Sequence, residues 1–452
     1  MRIILAVNQR IALTVAAVGI FLIGCTAERQ YRTDERPQVY NPNPNPPPKA
    51  IVEVAPNYTV GYVEFDDQGW LYGTNRFRTE MQMDAVLSRF SEESKTNGLL
   101  IVTFVHGWKH NASGGDSNVL MFHKVLNELG AMEKWLGTKQ HRPARRIVGV
   151  YVGWRGLSAS VEPFEELSFW DRKNTAEQVG HGAVIELLSN LEGLRTQGNR
   201  QYKSEIAQNK RMSTKLIVVG HSFGGDIVYS AVAPILTERM VENYDADGHP
   251  QSPRTLGDLV ILINPAFEAA RFETVQRLAT TKVFPPNTNC TLAVFTSTAD
   301  WATGLAFPAG RHLSTLFDTY EKHIDQAKAN VTAVGHYQPY INYDLKTIDR
   351  SSSAKASASM TNEVSRSASA DQVVAVRKQV QARAKHLTAT TNDLIYTFSH
   401  CQLLARPDCV RNDPVFNVAV DPNIIPSHDS IDRPVFIRFL SEFLAVFASG
   451  GE

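Results

Sequence analysis

The chain has 452 residues, 43% of them hydrophobic and 20% charged, the composition of a globular protein able to bury a large core rather than of a disordered one. Lys and Arg number 46, Asp and Glu also 46, and the formal net charge is zero. That balance excludes the basic footprint of a nucleic-acid binder, so no nucleic-acid partner is expected.

Arg2 and Arg10 precede residues 11–23, an apolar stretch broken only by Thr14 and Gly19. Such an h-region predicts a secretory signal, because it falls short of the roughly 20 apolar residues that span a bilayer. The stretch closes on Leu22-Ile23-Gly24-Cys25, which resembles the lipobox of bacterial lipoproteins. The resemblance implies that residues 1–24 are a lipoprotein signal peptide, that Cys25 becomes the acylated first residue, and that the protein is lipid-anchored in the bacterial envelope. Two or three acyl chains hold a protein on a membrane where one does not. Thr26, in place of an Asp, makes the outer membrane the expected location by the same resemblance.

Residues 25–57 read as a lipid-anchored linker. Pro37 to Pro48 holds six prolines in twelve residues, which favours extended polyproline II and builds no core; a stalk is expected from Arg29 to Ala50. The folded domain is placed at 58–450. Thr59 to Phe65 and Trp70 to Tyr72 are expected to pair as antiparallel edge strands. Residues 99–105 (LLIVTFV), 147–152 (IVGVYV), 216–219 (LIVV), 259–263 (LVILI) and 292–296 (LAVFT) are short, apolar and rich in β-branched residues, the pattern of strands buried on both faces. Helix-like stretches alternate with them at 118–135, 174–194, 225–240 and 268–279. The alternation predicts an α/β fold with a doubly wound, mostly parallel sheet and helices on both faces.

The alternation stops at Trp301 and resumes at residues 415–420 (VFNVAV), the expected last strand, followed by a closing helix at 436–447. Residues 301–412 are therefore read as a large insertion over the sheet edge. Within it, Ser351 to Asp371 has 8 Ser and 5 Ala in 21 residues, a low-complexity run, and Val373, Val376 and Val380 stand at helical spacing. Past Cys25 there remain Cys290, Cys401 and Cys409; in an oxidising compartment Cys401 and Cys409 are one of three possible pairings.

Chemistry is signalled at Gly220-His221-Ser222-Phe223-Gly224-Gly225. G-x-S-x-G is a weak pattern by itself, but here it follows a strand and opens a helix, the setting of a nucleophile elbow. Gly220 and Gly224 permit the sharp turn that exposes the Ser222 hydroxyl. A serine needs a base to take its proton and donors to hold the oxyanion that forms; the Phe223 N–H at the helix start is one candidate donor. With His106-Gly107-Trp108 at the end of LLIVTFV, the chain resembles the α/β-hydrolase superfamily, specifically esterases and lipases of the GHSxGG type. The resemblance makes the Trp108 N–H the second oxyanion donor and His106 a structural organiser of its loop. His106 with His110, or with His123, as a metal pair is disfavoured, because such a spacing binds metal on a helix face; no metal and no organic cofactor are expected.

The superfamily order nucleophile, acid, histidine directs attention downstream of Ser222. Asp300, just past residues 292–296, is preferred to Asp258, at the opposite strand end, and to Asp226, inside the helix. His428, after the last strand, is preferred to His400, His312 and His336. Trp154, Trp170, Trp301, Phe307, Tyr337 and Tyr340 are candidates for a pocket lining. The expected activity is hydrolysis of a small-molecule or lipid carboxylic ester through an acyl-enzyme. The alternatives are a non-catalytic lipoprotein using the fold as a binding scaffold, and a peptidase or acyltransferase using the same three groups, since fold alone does not fix the acyl acceptor.

Overall fold

The computed structural model describes residues 29–43, 45–72, 81–157, 164–285, 288–315, 318–320, 324–348, 371–379, 395–407, 409 and 413–447. The expected signal peptide, Cys25, most of the low-complexity run and Val380 lie outside them.

Twelve strands among the described residues form one sheet. In chain order they are β1 (Gln38–Val39), β2 (Val52–Val54), β3 (Tyr58–Glu64), β4 (Leu99–Val105), β5 (Arg146–Gly153), β6 (Lys215–His221), β7 (Leu259–Ile263), β8 (Leu292–Ser297), β9 (Tyr343–Thr347), β10 (Ile395–Thr397), β11 (Cys401–Ala405) and β12 (Val415–Val420). The spatial order is β1-β2-β3-β5-β4-β6-β7-β8-β12-β9-β11-β10. From β3 through β9 every neighbouring pair is parallel. The apolar runs explain this block: all seven residues of β4 are buried, with Leu100, Val102 and Phe104 in one core and Leu99, Ile101 and Val105 in the other. Strands buried on both faces need helices on both faces.

Those helices are α1 (Met81–Ser94), α2 (Ser117–Gln140), α3 (Phe164–His181), α4 (Val184–Gln201), α5 (Phe223–Val241), α6 (Ala269–Thr281), α7 (Phe307–Ser314), α8 (Ile324–Val331), α9 (residues 371–379) and α10 (Pro434–Phe447). α2 begins where the Asp116 carboxylate accepts the Asn118 N–H at 2.8 Å, satisfying one of the donors a helix start leaves unpaired. Residues 435–447 of α10 are buried throughout, lying on the face that carries α2.

Register brings the strand ends to one edge. Val105 pairs with Gly220, Ile263 with Phe295, and Ser297 with Val420, so the loops after β4, β6, β7, β8 and β12 open side by side. Ligands of open α/β sheets sit outside this carboxyl edge.

Four expectations need correction. The helix expected at 174–194 is two helices, because the Gly69 turn packs into residues 180–183: the Ala183 N–H bonds to the Gly69 carbonyl at 2.8 Å, and a Cβ on Gly182 would come 2.5 Å from that oxygen. Phe65 does bridge Leu71 in antiparallel fashion, but β3 is an interior strand, held by β2 and β5. The insertion does not lie over the sheet edge. It extends the sheet by β9, β11 and β10, short strands whose alternating burial (Tyr343 and Leu345 inside, Lys346 outside) leaves no continuous apolar run to detect. The stalk is in fact docked: β1 pairs with β2, and Arg32 is fully buried. No disulfide joins Cys290, Cys401 and Cys409, which are all buried thiols.

Candidate active site

The turn from β6 into α5 holds Ser222 at φ 56° and ψ −121°. For a residue with a side chain this conformation costs about 1–3 kcal/mol and persists only if its surroundings impose it. They do so by close packing. A Cβ on Gly224 would lie 2.0 Å from the Val105 carbonyl oxygen, and one on Gly220 would lie 2.4 Å from the Gly224 oxygen. One on Gly107 would lie 2.7 Å from the Ser222 Cβ. Three glycines thus clear the space in which the elbow, the end of β4 and the next loop touch.

The structure brings Ser222, His428 and Asp300 together. His428 Nε2 is 2.7 Å from Ser222 Oγ, and His428 Nδ1 is 2.9 Å from Asp300 Oδ2. A carboxylate accepts, so Nδ1 carries the proton and Nε2 presents its lone pair to the serine hydroxyl. Burial pushes the His428 imidazole down, but the hydrogen bond and charge of Asp300, helped by Asp429, outweigh it and hold the group above its ordinary value. Burial likewise pushes Asp300 up, and His428 and Thr303 together overcome it to hold the carboxyl below its ordinary value.

Several groups behind this row were not legible as site residues. The Asp300 carboxylate accepts the Thr303 N–H at 3.2 Å and the Thr303 hydroxyl; that hydroxyl lies 3.0 Å from His336 Nε2. Because Thr303 donates to Asp300, it accepts from His336. The His428 carbonyl accepts from Asn264 Nδ2 at 2.8 Å and from His221 Nε2 at 3.0 Å, while Asn264 Oδ1 accepts the Ser297 N–H at 2.9 Å. Asn264 sits at φ 44° directly after β7. An Asn ending a buried strand, a residue type that tolerates the left-handed region, was the signal available for it.

The loop after β4 rests on His106, which is fully buried and pushed down to about 4 by burial. The Trp154 N–H donates to its Nε2 at 3.1 Å, so Nδ1 donates to the Gly107 carbonyl at 2.9 Å. Trp154 stacks on the ring at 10° between planes. Among the described residues no protein acceptor takes the N–H of Trp108 or of Phe223, and Gly107, which precedes the first of these, lies against the serine.

The metal and acid candidates are committed elsewhere. His110 binds Asp116 and Asn118, and His123 lies between Tyr58 and Tyr62, so the three histidines considered as metal ligands share no site. His221, His428 and Asp429 approach one another, yet both His428 nitrogens already face Ser222 and Asp300. Asp258 is 3.3 Å from Arg195 at the far strand end. Asp226 is fully buried and pushed up to about 6 by burial against the opposing pull of Arg271 and Lys173. With Glu177, Glu268 and Arg311 these charges form a self-paired cluster beside a cavity of about 580 Å³. Of the aromatic candidates, Phe307 is core, Tyr337 packs on Tyr340, Trp170 fits against Gly310, and Trp301 is 65% exposed.

No protein-family model matches the chain, and no curated protein matches it. Among solved structures it is similar to a phospholipase, PlaB from Legionella pneumophila: 16% identity over 44% of this chain and 39% of that one, with a TM-score of 0.18. PlaB in complex with thio-NAD gives 14% identity over 55% and 45%, at 0.20. A Trichoderma reesei cutinase with a phosphonate inhibitor gives 12% identity over 48% and 76%, at 0.16. This chain thus spans under half of the phospholipase's length.

Proposed function

We propose that the chain is a serine hydrolase of the α/β-hydrolase type that cleaves carboxylic esters and is held on the bacterial envelope, at the outer membrane, by an acylated Cys25. The observation that carries the reading is the unbroken row Ser222 Oγ, His428, Asp300 at 2.7 and 2.9 Å, with the serine fixed at a positive φ on a strand-to-helix turn. In this reading His428 Nε2 takes the Ser222 proton as Oγ attacks the ester carbonyl. Asp300 keeps the ring in the required tautomer and stabilises the imidazolium, and the N–H groups of Phe223 and Trp108 hold the oxyanion. The imidazolium then protonates the departing alcohol, and water repeats the sequence on the acyl-enzyme. Each bond made and broken is served by groups of this chain, so the scheme invokes no metal or organic cofactor. The tests are fluorophosphonate labelling and turnover of short p-nitrophenyl esters. Ser222→Ala is expected to abolish labelling and lower kcat by about 10⁴-fold or more; full labelling in that variant would remove Ser222 from its role.

A further inference from the structure

Three features meet at the sheet edge that carries Ser222. The first is where the N-terminal segment joins the domain. The N–H groups of Tyr31 and Arg32 each donate to the Glu64 carboxylate at 2.9 Å, and Glu64 ends β3. The Arg32 guanidinium continues to the Ala112 carbonyl at 2.7 Å, in the loop that follows β4. A cavity of about 90 Å³ beside this junction is lined jointly by Arg29, Tyr31, Lys109, His110 and Gly156. The chain therefore leaves the domain against the loop that bears the Trp108 N–H. β3 stands three strand positions from β6, roughly 15 Å at the usual spacing.

The second feature is reach. Three residues lie between Cys25 and Arg29, and the four steps from one to the other span at most about 14 Å when fully extended. Arg32 is wholly buried, so no slack is supplied by the segment that follows. An acylated Cys25 lies at the lipid surface, and the edge bearing Ser222 is then tethered close to that surface.

The third is exposed apolar surface. Trp70, Trp301 and Leu305 are 67%, 65% and 65% exposed. They follow β3 and β8, which lie on opposite sides of β6, so they flank the serine at the same edge. Tryptophan is the side chain enriched at the membrane–water boundary.

We infer that the protein rests with this edge on the bilayer that holds its own anchor, Trp70, Trp301 and Leu305 entering the headgroup layer, and that its substrate is an acyl ester of a lipid resident in that same membrane. The inference rests on the serine-hydrolase reading and on acylation of Cys25.

The test uses the full acylated chain reconstituted in phosphatidylethanolamine–phosphatidylglycerol vesicles. A fluorogenic acyl-ester phospholipid is placed either in the same vesicles or in separate ones, and p-nitrophenyl butyrate serves as the water-soluble substrate. Release is expected to be about tenfold or more faster from the same vesicles, as tethering raises effective concentration. Brominated phospholipid is expected to quench tryptophan fluorescence, and W70F/W301F to lose most of that quenching. W70S/W301S/L305S is expected to lower same-vesicle turnover severalfold. Equal release from both vesicle populations, or quenching unchanged in W70F/W301F, overturns the inference; p-nitrophenyl butyrate turnover that is lost in Ser222→Ala would then leave the hydrolase reading standing. An unmodified Cys25 by mass overturns the tether, and absence of turnover on every ester overturns both readings.

Discussion

His428, half-buried, and His123, buried, each lie between hydroxyl and carboxylate groups, and the charges around them differ: Arg32 stands beside Glu53 at His123, whereas Asp429 adds to Asp300 at His428. His123 lies 2.9 Å from the Tyr62 hydroxyl, 3.0 Å from the Tyr58 hydroxyl and 3.3 Å from the Glu53 carboxylate. Glu53 is also 3.4 Å from the buried Arg32, whose guanidinium covers the Tyr62 ring at 3.5 Å. Burial therefore wins at His123: it pushes the imidazole down, Glu53 pulls the other way, and Arg32 adds to the downward push. Around Asp300 no Lys or Arg is paired among the described residues, its ionic partner being His428 itself. There the hydrogen bond and charge of Asp300, with Asp429 adding to them, outweigh burial and the imidazole is raised. An imidazole gains basicity from a carboxylate whose charge has not already been cancelled; otherwise the same three groups form a staple.

The sharpest break of this comparison is Asp300→Asn. It removes both the tautomer control and the charge that raises His428, and kcat is expected to fall about 10³–10⁴-fold. The sign of the expected pH effect follows from the proposed base needing to be neutral: activity of the native chain is expected to be lost as pH falls through a value above the ordinary imidazole value of about 6.5. In Asp300→Asn that acid limb moves to lower pH, which a kcat/KM profile measures. The reciprocal experiment is Arg32→Met. It strands Glu53 without its cation and is expected to cost about 3–5 kcal/mol of stability, read from urea unfolding, with ester turnover per folded molecule unchanged. A soluble form begun after Pro48 loses the same residue and is expected to show the same deficit. The smallest effect is expected from Thr303→Val, which deletes the hydroxyl between Asp300 and His336. Loss of one hydrogen bond to a charged group predicts roughly a tenfold fall in kcat, and Thr303→Ser restores it.

The parallel strands β4 to β8 and β12 were legible because burial on both faces writes continuous apolar runs, and the meeting of Ser222, Asp300 and His428 was legible because each follows such a run. β9 to β11 were not, because a short strand near a sheet margin alternates and resembles a loop. Arg32 was hidden for a different reason: a charged residue within a proline-rich stretch reads as solvated, and its partners Glu53 and Glu64 lie far along the chain. Thr303, His221 and Asn264 were missed because they act on the backbone or on the carboxylate rather than on the serine. The break between α3 and α4 depended on a loop more than a hundred residues upstream.

β8 and β12 are hydrogen-bonded neighbours in exact step, Leu292 against Val415 through Ser297 against Val420, although residues 301–412 intervene. The excursion thus departs from and returns to adjacent points, like a side loop on a railway whose main line is never lifted. The excursion is nevertheless tied into the site it interrupts, because its β9 pairs with β12 and its Thr303 and His336 stand behind Asp300, so any refitting at this junction has to keep the first turn after β8 and the strand beside β12.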